Sequence, residues 1–199
     1  MTDEPDVNPD SDEFGRVGYG RLARYSPLIL AAVMVAAVIF IALNQRDNET
    51  NTRDIIGEPA PAMTLTSFDG STTTSLAAMS GNVVVLNFWA SWCEPCRTEM
   101  PAFEFIHRAA TGAQIIGVNI KNDRAEDAAR LLTDTGVTYQ IVRDGGGDHP
   151  VYGPIEQALG LGGSYPMTVF VSPDGIVDRV VVGPMNESEI LEAIDAAGS

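Results

Sequence analysis

The chain has 199 residues, a formal net charge of −15 and a hydrophobic fraction of 45%. That length allows one domain of ordinary size plus an additional segment. With 12 basic against 27 acidic residues, the balance argues against nucleic acid as a partner, because phosphate recognition needs clustered Lys and Arg.

The acidic stretch Met1 to Glu13 is rich in Asp, Pro and Asn and has no apolar period, so residues 1–26 read as a disordered tail. Arg16, Arg21 and Arg24 follow, and from Pro27 to Leu43 no residue is charged or strongly polar. A helix over 27–43 spans about 25 Å at 1.5 Å per residue, slightly short of a hydrocarbon core of about 30 Å. Arg24 and Tyr25 before it, and Asn44, Gln45 and Arg46 after it, can sit at the interfaces and absorb the mismatch. A buried core helix and the apolar region of a cleaved signal peptide are the competing readings. The run is apolar on every face, and Ala42-Leu43-Asn44 lacks the small residue a cleavage site needs. The expectation is therefore an uncleaved single-pass anchor in the lipid bilayer. Three arginines before it against Arg46 after it predict a cytoplasmic N-terminus. Residues 44–54 form a polar linker, and the domain 55–199 then lies on the periplasmic or extracytoplasmic side of the cell membrane.

That domain is acidic in its own right, with 18 acidic and 7 basic residues. Asp69-Gly70 between Met63-Thr64-Leu65 and Thr72-Thr73-Thr74 predicts a hairpin, and Ser75 to Met79 a short helical turn. Val83 to Trp89 is an apolar run broken only by Asn87, the pattern of a central strand buried on both faces. A helix follows to about Ala110, with Met100, Phe103 and Ile106 on one side and Glu104 and Arg108 on another. Ile115 to Ile120 is the next strand. Asp123 is expected to cap a helix over 124–135, which Gly136 stops. Tyr139 to Val142 reads as a short strand, Asp144 to Asp148 as a flexible loop, Val151 to Leu159 as partly helical and Gly160 to Ser164 as a second loop. Met167 to Val171 and Ile176 to Val182 form a hairpin around Pro173-Asp174-Gly175, and Asn186 caps a closing helix from Glu187 to Ala197. This order predicts an α/β domain with a mixed central sheet and helices on both faces.

Cys93 and Cys96 are the only cysteines. A disulfide between them closes a very small ring and so removes little entropy from the unfolded chain. The pair is poorly placed to staple a fold and well placed to switch between dithiol and disulfide. A zinc site wants four ligands, and neither a second cysteine pair nor His107 or His149 offers the spacing, so no metal and no cofactor beyond the cysteine pair is expected. Cys93 stands at a predicted helix N-terminus, where free N–H groups and the dipole stabilise a thiolate, which makes it the nucleophile. Cys96, one turn further in, would resolve the mixed disulfide. Pro95 suits an early helical position. Glu94 places a negative charge beside the thiolate and should hold its pKa from falling far, or it is an exposed residue without a role. Trp92, adjacent to Cys93, could contact partners.

Phe88-Trp89-Ala90-Ser91-Trp92-Cys93-Glu94-Pro95-Cys96-Arg97, with Glu99-Met100-Pro101 after it, resembles the active-site segment of membrane-anchored thioredoxin-like proteins of the TlpA/ResA/CcmG (DsbE) group. Ile56-Gly57-Glu58-Pro59-Ala60-Pro61 resembles the opening of that family. Pro166 before Met167 to Val171 resembles its cis-proline strand, and Gly117 to Asn122 is similar to its cytochrome c maturation branch. The resemblance implies a thioredoxin fold with an N-terminal β-hairpin extension, and a thiol–disulfide oxidoreductase that reduces protein disulfides, commonly in apocytochrome c. It also implies a membrane-embedded thiol as electron donor. Glu99 becomes a candidate proton acceptor, or else a first-turn acid that complements the dipole. Asn87 stands where thioredoxins carry an acid. Pro166 should be cis, with the backbone of Tyr165 open to substrate, although Tyr165 is unusually bulky for that place. A disulfide oxidase and a thiol-dependent copper delivery or assembly factor remain the alternatives.

Overall fold

The computed structural model describes residue 29, residues 31–39 and residues 55–199. Residues 29 and 31–39 are helical, and every one of them is exposed. They lie inside the expected 27–43 span; the rest of that span, the tail 1–26 and the linker 44–54 fall outside the described residues. Among the described residues no helix is long and apolar enough to cross a membrane.

The second unit opens with a hairpin of β1 (Thr64–Thr66) and β2 (Thr73–Ser75), then a 3₁₀ turn, Leu76–Met79. The main elements follow in order: β3 (Val84–Trp89), α1 (Glu94–Arg108), β4 (Gln114–Asn119), α2 (Ala125–Thr135), β5 (Gln140–Arg143), α3 (Pro154–Ala158), β6 (Met167–Val171), β7 (Val177–Val182) and α4 (Glu187–Ala197). Five strands form one mixed sheet in the order β5-β4-β3-β6-β7. β3 pairs parallel with β4 and antiparallel with β6, and all six of its residues are buried. Side chains of β3 and of Val83 before it are divided between two cores. Val84, Leu86 and Phe88 pack with Leu65, Leu131 and Leu159. Val83 and Val85 pack with Phe103 and Ile106 of α1 and with Ile190 and Ile194 of α4. The helices therefore cover both faces, as the element order predicts.

The β3–β6 register positions the site. Phe88 lies opposite Met167, so the chain leaving β3 toward Cys93 passes beside the chain entering β6 from Pro166. Two local expectations change. Helix α1 stops at Arg108 because Ala109 caps it and Ala110 turns left-handed, φ 50°. Helix α2 is capped at Arg124 without a side-chain bond, so Asp123 is not its N-cap. By contrast Asn186 does cap α4: its side chain accepts from Glu189 N at 3.1 Å, and the Glu189 carboxylate accepts from Asn186 N at 2.8 Å.

Candidate functional site

Cys93 is the N-cap of α1, and its sulfur accepts a hydrogen bond from Cys96 N at 3.2 Å. Cys93 and Cys96 are joined as a disulfide. Cys96 is fully buried and Cys93 is 5% exposed, so the outer sulfur is the one a substrate can approach. Glu94 is exposed on the first turn and Pro95 follows it inside the helix. Trp92 is 60% exposed.

The approach to Cys93 is held by Asp123. Its buried carboxylate accepts from Ser91 N at 2.7 Å, Ser91 Oγ at 2.6 Å, Asn119 Nδ2 at 2.8 Å and Arg124 N at 2.9 Å. Arg143 in turn donates to Asn119 Oδ1 and, at 2.7 Å, to the Asp123 carbonyl. Local sequence suggests a helix cap here. The dominant partner instead comes from the loop that carries Trp92 and Cys93. Asp123→Ala should lower the unfolding free energy by about 3 kcal/mol, because several buried donors lose their acceptor at once; urea denaturation with an unchanged m-value checks this.

Glu99 lies on α1 one turn beyond Cys96 and is 2% exposed. Asn87 Nδ2 donates to it at 2.7 Å and Met185 N at 3.1 Å. Burial without a cationic partner lifts its pKa to about 7, against the pull of those two donors. It lines a groove of about 800 Å³ between α1 and the Pro184–Glu189 segment. Asn87 also donates to Thr168 Oγ1 at 3.2 Å, while its Oδ1 is buried without a hydrogen-bond partner among the described residues. That amide can offer Nδ2 to a carboxylate or Oδ1 to a carboxylic acid, so it can serve Glu99 in either protonation state.

The Tyr165–Pro166 peptide bond is cis. The Tyr165 ring meets the Trp92 ring edge to face, with centroids 6.0 Å apart, and the Tyr165 hydroxyl donates to Glu156. The fold thus gathers Trp92, Cys93, Cys96, Glu99, Tyr165 and Pro166 around the end of β3. Sequence reasoning missed Asp123 in this role, and it missed Asp144 and Glu156 entirely. Asp144 opens what looks like a flexible glycine loop; it is fully buried.

A profile of the AhpC/TSA family matches residues 56–180. The chain belongs to the AhpC/TSA family. The thiol-disulfide oxidoreductase ResA of Bacillus subtilis is 32% identical to this chain over 136 residues, covering 67% of this chain and 71% of ResA. The thiol:disulfide interchange protein HelX of Rhodobacter capsulatus is 31% identical over 173 residues, covering 86% of this chain and 92% of HelX. A crystal structure of a DsbE-type thiol:disulfide interchange protein from Chlorobium tepidum superposes with a TM-score of 0.59 at 27% identity, over 72% of this chain and 98% of that one. The fold is thioredoxin-like, with the mixed sheet and flanking helices described above.

Proposed function

We propose that this thiol-disulfide oxidoreductase reduces protein disulfides outside the cytoplasm, with Cys93 as nucleophile, Cys96 as resolving thiol and Glu99 as the proton carrier. The observation that carries the reading is the exposed-side sulfur of Cys93 capping a helix N-terminus, with its disulfide partner Cys96 fully buried behind it. In the dithiol form the Cys93 thiolate attacks one substrate sulfur. A mixed disulfide forms, and the other substrate sulfur leaves and takes a proton. Cys96 then gives its proton to Glu99 and attacks the Cys93 sulfur. The Cys93–Cys96 disulfide forms and the second substrate thiolate departs, to be protonated in its turn. A carboxylate with a pKa near 7 accepts and returns a proton with little penalty at neutral pH.

Residues 27–43 are the membrane anchor in this reading, supported by the apolar, uniformly exposed helical positions 29 and 31–39. An apocytochrome c disulfide is the substrate class implied by the resemblance around Gly117–Asn122 and by relatives of the ResA, HelX and DsbE type. Electrons return from a membrane-embedded thiol donor. Trp92, Glu94, Pro95 and Tyr165 rim the approach to Cys93 and contact the substrate. Equilibration of the Cys93–Cys96 couple with a glutathione buffer tests the direction. A reductase is expected to lie nearer about −270 mV, and a value near about −120 mV would make the protein an oxidase.

A further inference from the structure

The loop and short helix between β5 and β6 hold two buried carboxylates that the reaction above does not use. Asp144 and Glu156 are 0% and 1% exposed, whereas most of the described carboxylates face solvent. Asp144 closes the start of α3: its two oxygens accept from Ile155 N and Glu156 N, both at 2.9 Å. Its own N–H is fixed to the Asn119 carbonyl at 2.8 Å, so α3 is moored to the end of the sheet. Gly153 makes the mooring possible, since a Cβ there would lie 2.2 Å from the Asp144 carbonyl oxygen. The loop between them is clamped by Lys121, whose ammonium donates to the carbonyls of Gly146, Gly147 and His149 at 2.6, 2.9 and 2.9 Å. Glu156, so fixed, accepts from Gly153 N at 3.1 Å and from the Tyr165 hydroxyl. The Tyr165 ring then meets Trp92, the residue before Cys93.

We propose that Glu156 is a positioning residue for the redox site: by holding the Tyr165 hydroxyl it fixes the Tyr165 ring against Trp92, and so preforms an aromatic wall against which a polypeptide substrate lies. Glu156 acts through Tyr165 and touches no reacting atom in this role. A freely rotating Trp92 ring, mostly in solvent, would have to be ordered anew at each encounter. A ring held in an edge-to-face contact has already lost that freedom, and substrate binding gains accordingly. A small disulfide covers less of the wall than an extended polypeptide does, so its reduction depends on the wall less. The inference rests on the reductase reading above and refines it to the recognition of extended polypeptide.

The test uses the full chain in detergent micelles. One substrate is a synthetic peptide carrying a Cys-x-x-Cys disulfide; the other is glutathione disulfide. Glu156→Leu is expected to raise KM for the peptide about fivefold with a smaller change in kcat, as for loss of one oriented contact. It should leave the glutathione disulfide rate within about twofold. Tyr165→Phe, which removes only the hydroxyl, should raise the peptide KM by the same factor, and it carries the test if Glu156→Leu fails to fold. Glu156→Gln, whose amide still bonds the hydroxyl, should restore it. Trp89 is fully buried, so acrylamide quenching of the indole emission reports Trp92; it should increase in Tyr165→Phe. An unchanged peptide KM in Tyr165→Phe overturns the inference alone, as does an equal slowing of both substrates in Glu156→Leu. A wild-type chain that reduces neither disulfide overturns the reductase reading, and the inference falls with it.

Discussion

Cys96→Ser should convert the protein from a catalyst into a trap. Cys93 still attacks a substrate disulfide, but nothing within the protein then attacks the mixed disulfide. In the wild type the resolving thiol is held in the same helical turn, bonded directly to its partner in the oxidised form. Intramolecular groups so placed act at effective concentrations far above the millimolar thiols of a solution. Turnover should therefore fall by on the order of a thousandfold or more. Covalent adducts through Cys93 should accumulate, visible as thiol-sensitive bands on non-reducing gels and identifiable by mass spectrometry. Cys93→Ser should give neither turnover nor adducts, because Cys96 is fully buried. Adducts forming equally well through Cys96 would reverse the assignment of nucleophile and resolving thiol.

Glu99→Gln should show two linked effects. The carboxyl titrates near pH 4.5 when exposed and near 7 in the fold, chiefly because burial disfavours its charged form. Between those values the native state holds a proton that the unfolded chain has released, so stability falls as pH rises. The stabilisation is complete below about pH 4.5 and is lost as pH rises through about 7. At 1.36 kcal/mol per pH unit the oxidised wild-type protein should lose about 3 kcal/mol across that window. Glu99→Gln should lack this loss, with urea midpoints nearly level between pH 5 and pH 8 wherever other groups do not titrate. The second effect is on rate. Without a proton acceptor for Cys96, disulfide reduction at pH 7 should slow by about a hundredfold, the low end of general-base contributions. The pH–rate profile should also lose its inflection near 7. A level stability curve with unchanged kinetics would leave Glu99 as a buried acid with no part in the chemistry.

The two effects have one cause. A carboxylate placed where it is poorly solvated costs stability, and the same poor solvation tunes it to exchange protons near neutrality. The acid lies on α1, and Asn87 faces it from β3. The amide bonded to it, with one oxygen left over, accommodates Glu99 whether it is charged or neutral.

Much of this was legible in the residues. The apolar run of Val83–Trp89, the helix starting at the cysteine pair and the Asn186 cap are encoded within a few positions of one another. Such signals need no knowledge of the rest of the chain. Asp123 was legible only in part. Its position before a helix suggests a cap, but its carboxylate is claimed by Ser91, 32 residues away in sequence. Asp144 and Glu156 were not legible at all, because Asp144 looks like the start of a flexible glycine loop and Glu156 like a polar residue of a partly helical stretch. Their burial depends on donors 11, 12 and 9 residues away, and no local period records such partners.

The sequence by itself therefore determined the cysteine pair, its strand-to-helix setting, the acidic α/β domain around it and the order of its elements. These follow from spacing, periodicity and capping, which are short-range properties of the chain. Only the tertiary structure decided what surrounds the sulfurs. The antiparallel register of β3 against β6 carries Tyr165 and Pro166 to the cysteines. The packing of α1 on the sheet buries Glu99 and lifts its pKa. The mooring of α3 aims the Glu156 carboxylate at Tyr165. Each of these depends on which distant surfaces exclude water together, and burial of that kind exists only once the chain has folded.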